Sequence, residues 1–116
     1  MGYSEKLAVE MEKWGKFAEL SPDVIEGFGQ VRGATCKDGK AVDFKTIELV
    51  SVAVAVARKC EPCMLAHVKV CVDLGVTREE LAAALNPCIM LCGGPGWAYA
   101  AIALDAFDEM SAQKEA

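Results

Sequence analysis

Three residues in the segment KCEPCMLAH, positions 59 to 67, could do chemistry together: Cys60, Cys63 and His67, the only histidine in the chain. Two cysteines three apart can form a redox dithiol. With a histidine four residues further on, they could also begin a metal site. Pro62 decides the local geometry. A proline in a helix interior lacks its donor and clashes with the preceding turn, but is tolerated in the first turn. One helix should therefore end near Arg58-Lys59, and another should begin near Cys60-Glu61. The cysteines then lie at a helix N-terminus, where unpaired N–H groups favour a thiolate. At about 100° per residue, Cys63 falls about 60° to one side of Cys60, and His67 and Cys71 each about 20° from it on opposite sides. Helical side chains lean toward the N-terminus, so His67 leans over Cys63 and can act as its base.

A third group should orient the imidazole, and Glu48 is the candidate. It sits in the apolar run FKTIELVSVAVAVARK, where a carboxylate is costly unless paired. Two helices folded back around residues 58 to 61 would bring Glu48 and His67 within about one turn of register.

The surrounding elements read as helices. SEKLAVEMEKWGKFAEL places Leu7, Met11, Trp14 and Ala18 on one stripe, with Met11 and Trp14 expected in the core. SPDVIEGFGQVRG opens on Ser21 and Pro22 and is expected to close at Gly33. ATCKDGKAVD reads as a polar loop. Val50, Val52, Val54 and Val56 alternate like a strand, but no polar face alternates with them and a buried helix fits the run. A further helix should stop at Gly75, and Thr77 with Glu80 forms a capping box. Pro87 is expected to kink or break the helix that follows, GGPG at 93 to 96 to form a turn, and WAYAAIALDAFDEM to close the chain. The expected fold is all-α, a single domain over residues 1 to 116 with about six helices.

Composition narrows the function classes. The chain has 116 residues, 53% of them hydrophobic, and a net charge of -5 from 17 acidic and 12 basic side chains. No basic footprint for nucleic acid is present. The first 30 residues lack an apolar leader core, and the run from Leu49 to Ala57 is far short of a membrane span, so a cytoplasmic protein with no membrane partner is expected. The apolar excess in so short a chain points to a homo-oligomer. In that setting Cys36, Cys71, Cys88 and Cys92 read as small hydrophobes rather than a disulfide framework.

Glu48, Cys60, Cys63 and His67 together read E-x11-C-x2-C-x3-H. This resembles the signature of the alkylhydroperoxidase D-like branch of the carboxymuconolactone decarboxylase superfamily, and GGPGWAYAAIALDAFDEM resembles that superfamily's glycine-rich turn and closing helix. The likeness runs over roughly residues 20 to 110. It implies an all-helical homo-oligomer, often a hexamer, with thiol peroxidase or disulfide reductase chemistry and no cofactor beyond the dithiol. It also implies that Cys63 is oxidised to a sulfenic acid and Cys60 resolves it as a Cys60–Cys63 disulfide. Glu48 and His67 would serve as proton relay, a hydroperoxide or disulfide as substrate, and a thiol or dithiol as electron donor. Helix position alone would instead favour Cys60 as the more acidic thiol. Glu61-Pro62 stands where such proteins commonly carry a histidine beside the second cysteine, and a glutamate there should raise thiol pKa. Three other readings compete: a protein disulfide reductase with little peroxidase activity, a decarboxylase-type enzyme that needs no dithiol, and a zinc-binding helical protein using Cys60, Cys63, His67 and Glu48 or Cys71.

Overall fold

A computed structural model describes residues 1–116. Five helices make up the chain: α1 (Tyr3–Leu20), α2 (Pro22–Thr35), α3 (Phe44–Ala57), α4 (Glu61–Asp73) and α5 (Arg78–Glu115), with no strand. The alternating valines are therefore helical. Val52, Ala55 and Val56 are buried, whereas Val50 and Val54 are exposed. The period of 3.6 sorts a run of similar residues onto two faces.

The core lies between α3, α4 and α5. It is built from Val52 and Val56 of α3, Met64, Leu65, Val68 and Cys71 of α4, and Leu81, Leu85, Ala103, Ala106 and Phe107 of α5. The small side chains Ala100, Ala103 and Ala106 let α5 approach closely. α1 lies across α4 and α5 and contributes Leu7. Its first turn is capped at long range: Glu109 accepts hydrogen bonds from the backbone N–H of Tyr3 (3.1 Å) and Ser4 (3.0 Å).

Several boundaries depart from expectation. α2 continues past Gly33 to Thr35. Pro87 does not break α5, whose buried Leu81, Leu85 and Cys88 tie this part of the helix to the core. GGPG does turn the chain, as expected: Gly93 (φ 65°, ψ -142°) leaves helical geometry for a conformation that only glycine adopts readily, so α5 is two helical segments joined across a kink. The bend is sharp. A straight helix of 38 residues would span about 57 Å, but the molecule's longest dimension is 39 Å. A Cβ on Gly96 would lie 2.2 Å from the Cys88 carbonyl oxygen, so the chain closes on itself there and only glycine fits. Pro95 falls in the first turn after the bend, where no donor is missed. Length and hydropathy would let α5 cross a bilayer. It bends at Gly93, and its second segment buries Ala100, Ala103, Phe107 and Met110.

The stripe on α1 is corrected. Leu7 is buried, but Met11 and Trp14 are exposed, and α2 buries no residue at all. Together with Phe17, Leu20, Val24, Phe28 and Val31 they form an apolar surface over α1 and α2. Periodicity found the apolar face of α1, but the face is not used within one chain.

Candidate active site

The junction between α3 and α4 is a tight helix stop followed at once by a helix start. α3 ends with the backbone N–H of Lys59 bonded to Val56 O (3.1 Å) and that of Cys60 to Ala55 O (3.0 Å). This is a Schellman closure, which needs a left-handed residue at its centre. Lys59 takes that conformation, with φ 56°. α4 begins at Glu61, with Pro62 in its first turn and Cys60 as N-cap, as the proline rule requires. The Cys60 sulfur accepts from the backbone N–H of Cys63 at 3.4 Å. Cys60 and Cys63 are joined as a disulfide, with Cα atoms 5.4 Å apart.

One turn further along α4, His67 Nδ1 meets Glu48 Oε1 at 2.9 Å. A carboxylate accepts, so Nδ1 is the donor in this pair, and in the neutral imidazole that tautomer leaves Nε2 as the acceptor. Glu48 is 1% exposed and its Oε2 makes no hydrogen bond of good geometry, although the Cys36 thiol is near enough for the carboxylate to raise its pKa. A buried carboxylate with half its acceptors unused is costly, which argues for a role beyond packing. The four residues singled out by spacing are therefore side by side: a disulfide, an imidazole and a buried carboxylate behind it.

The neighbouring thiols are held protonated. Burial first, and then the Glu48 charge, pushes the Cys71 thiol from 9.0 up to about 12. Burial raises Cys36 too, reinforced by Glu48 and opposed by Arg32. Burial also raises Cys88, whose sulfur donates to Ala53 O at 3.4 Å. Cys71 and Cys88 are buried as expected of small hydrophobes, but Cys36 is half-buried and Cys92 is exposed beside the Gly93 bend. Glu61, expected to oppose thiolate formation, is paired with Lys6 at 3.6 Å. That contact offsets its field in part, weakly because both groups are solvated. No three His, Cys, Asp or Glu side chains converge into a cluster able to hold a metal ion.

A cavity of about 540 Å³ opens over the disulfide, lined by Val50, Ser51, Val54, Ala55, Arg58, Cys60, Cys63 and His67. Glu48 lies behind His67 and does not line it. Val50, Val54 and Arg58 line the cavity although motif spacing does not single them out. The available signal was their interval of four along α3, which puts them on one face.

The family model for the carboxymuconolactone decarboxylase family matches residues 22–106. The chain belongs to that family. Among its relatives is an uncharacterized protein of Cupriavidus necator, 35% identical over 100 residues, covering 86% of this chain and 88% of that protein. A family protein from Legionella pneumophila has a crystal structure that superposes with a TM-score of 0.89 at 38% identity, covering 94% of this chain and 96% of that one. A second crystal structure, from Thermotoga maritima, superposes at 0.83 with 21% identity over 95% of this chain and 93% of that one. The latter family protein has a suggested part in the antioxidative response of its own organism. At that identity it supports the shared fold.

Proposed function

We propose that this family member is a thiol-dependent peroxidase that works through the Cys60–Cys63 dithiol. The observation that carries the reading is the disulfide facing a cavity beside His67, whose far nitrogen is held by buried Glu48. In the reduced enzyme, His67 Nε2 takes the proton of Cys63. The thiolate attacks the distal oxygen of a hydroperoxide, the O–O bond breaks, and the departing alkoxide takes the proton back to leave as an alcohol. Cys63 is then a sulfenic acid. The Cys60 thiolate attacks its sulfur, the S–O bond breaks, the departing hydroxide takes a proton from solvent and leaves as water, and the disulfide is formed. A thiol or dithiol donor reduces it by exchange, delivering two electrons and two protons. Glu48 stabilises the imidazolium formed in the first step and fixes the tautomer.

Decarboxylation, the activity in the family's name, makes no use of a dithiol, and the Cys60–Cys63 pair favours redox chemistry. The environments of Cys36, Cys71 and Cys88 raise their thiol pKa and disfavour the thiolate, which supports the same choice of reactive pair. The apolar surface over α1 and α2 supports a homo-oligomer, for which a hexamer is the family expectation, acting in the cytoplasm with no further cofactor.

The test is oxidation of fully reduced protein by one equivalent of hydroperoxide, followed by peptide mapping. Formation of Cys60–Cys63 with release of one alcohol per chain is expected. Failure to oxidise this pair, or Cys88–Cys92 as the main product, would sink the reading. Turnover of a protein disulfide with no reaction toward hydroperoxides would replace it with a disulfide reductase.

A further inference from the structure

The cavity over the dithiol is chemically lopsided. Val50 and Val54 line one side and are each about half exposed, at 53% and 52%. Arg58 continues the same row, one helical step of four beyond Val54. The row of three spans about 12 Å at 1.5 Å per residue. Of the other polar groups on the lining, Ser51 Oγ donates to Ile47 O at 2.8 Å and His67 Nδ1 is held by Glu48, so neither brings a free cationic fork to the cavity. Arg58 joins none of the chain's ion pairs. No carboxylate lines the cavity, although the chain as a whole carries a net charge of -5. The reactive mouth therefore offers one unpaired cation, two residues from Cys60, at the end of an apolar trough.

We propose that Arg58 is a specificity-determining residue for an apolar-bodied hydroperoxide that carries a carboxylate. This rests on the peroxidase reading above. A guanidinium binds a carboxylate through two parallel hydrogen bonds, which fixes direction as well as proximity. The apolar body is drawn from water onto Val50 and Val54. Seated so, the molecule lays its O–O bond across Cys63 and His67. The chemistry is unchanged: the peroxide accepts two electrons from the dithiol and leaves as a hydroxy acid and water.

The experiment uses cumene hydroperoxide bearing a para-carboxylate, and its methyl ester. The two share a reacting group and differ in charge. Second-order rates of Cys60–Cys63 formation are measured for both by stopped flow, in wild type, Arg58→Gln and Arg58→Lys, over a salt series. The readout is the acid-to-ester rate ratio. Arg58→Gln is expected to lower it about three- to tenfold, between the effect of an exposed ion pair and that of a charged hydrogen bond. Arg58→Lys should fall between the two, since it keeps the charge and loses the fork. In wild type the ratio should shrink as salt screens the pair, a result that needs no variant to fold. A ratio indifferent to both Arg58→Gln and salt removes the anion site while leaving the peroxidase intact. A dithiol that neither compound oxidises removes the peroxidase reading and this inference with it.

Discussion

Replacing Glu48 by glutamine tests the relay at its buried end. The amide keeps the shape of the carboxylate, and its carbonyl can still accept from His67 Nδ1, now separated by 2.9 Å from Oε1. What is lost is charge. A hydrogen bond to a charged partner is worth about 1.5–3 kcal/mol and a neutral one about 0.5–1.5. The imidazolium formed as Cys63 loses its proton should therefore be less stable by about 1–2 kcal/mol. At about 1.4 kcal/mol per factor of ten, Cys63 oxidation slows about five- to thirtyfold. His67→Ala removes the base itself and should cost about 10²–10⁴. The double variant should be little worse than His67→Ala, because Glu48 acts only through His67. The fold should survive Glu48→Gln, since a half-satisfied buried charge is replaced by a neutral group of the same volume. The assay is stopped-flow oxidation of reduced protein with mass-spectrometric trapping of the sulfenic acid, beside a thermal melt. Wild-type rates in Glu48→Gln would refute the relay, as would full additivity in the double variant.

Further outcomes follow from the same structure. In Cys60→Ser, Cys63 should react once and its sulfenic acid should persist and over-oxidise for want of a resolving thiol; if only Cys63→Ser keeps the first oxidation, the roles are reversed. Lys59→Gly should raise the melting temperature, because a left-handed non-glycine residue costs about 1–2 kcal/mol and glycine's own flexibility returns about 0.5–1 of it; an unchanged or lower melting temperature would show that the turn is not strained. The Cys71 thiol, pushed from 9.0 to about 12, stays protonated in the fold where the unfolded chain ionises. Its contribution is intact below about pH 9 and is lost as pH climbs toward 12, so urea midpoints should fall more steeply above pH 9 in wild type than in Cys71→Ala. For the oligomer, light scattering should give a mass of several chains, and glutamate at Trp14 and Phe28 should lower it; a single-chain mass in wild type, stable on concentration, would overturn it.

How much of this was legible depends on whether the deciding interaction is local. Pro62 placed the α3–α4 junction because a missing donor acts within one turn. Gly75 and the Thr77–Glu80 box set the neighbouring helix ends for the same reason: both Thr77 Oγ1 and Glu80 Oε1 make their backbone bonds. Glu48 could be matched to His67 because an antiparallel pair of helices with a short turn has a nearly fixed register. What escaped depends on distant partners. Met11 and Trp14 lie on an apolar stripe, but periodicity does not say whether the covering surface is in the same chain. Pro87 reads as a breaker on local rules, yet packing at Leu81, Leu85 and Cys88 opposes the break. The run that holds Val50 and Val54 reads as a buried helix and Arg58 as its end, whereas both valines are exposed on a cavity that exists only once α4 is laid against α3.

The same junction gives the two cysteines different surroundings. α3 and α4 end alike, each with a Schellman pair of backbone bonds: Lys59 and Cys60 return to Val56 and Ala55, and Gly75 and Val76 return to Val72 and Cys71. At the second closure the left-handed position is filled by glycine, at no steric cost. At the first it is filled by lysine, directly before the dithiol. That closure leaves Cys60 as N-cap, and its sulfur takes the N–H of Cys63. In the reduced protein the same N-cap position places the Cys60 sulfur at the free N–H groups of the α4 terminus, where a thiolate is favoured in general. Cys63 contributes its own N–H to that bond, and in the proposed mechanism its sulfur loses its proton to His67. Under the proposed mechanism the division is useful. The attacking thiol is deprotonated by a base that can return the proton to the departing oxygen, while the resolving thiol is kept ionised by the helix terminus and needs no base when the sulfenic acid appears. The helix-terminus argument for an acidic Cys60 and the family role of Cys63 as first attacker are therefore compatible, because acidity and proton delivery are assigned to different sulfurs.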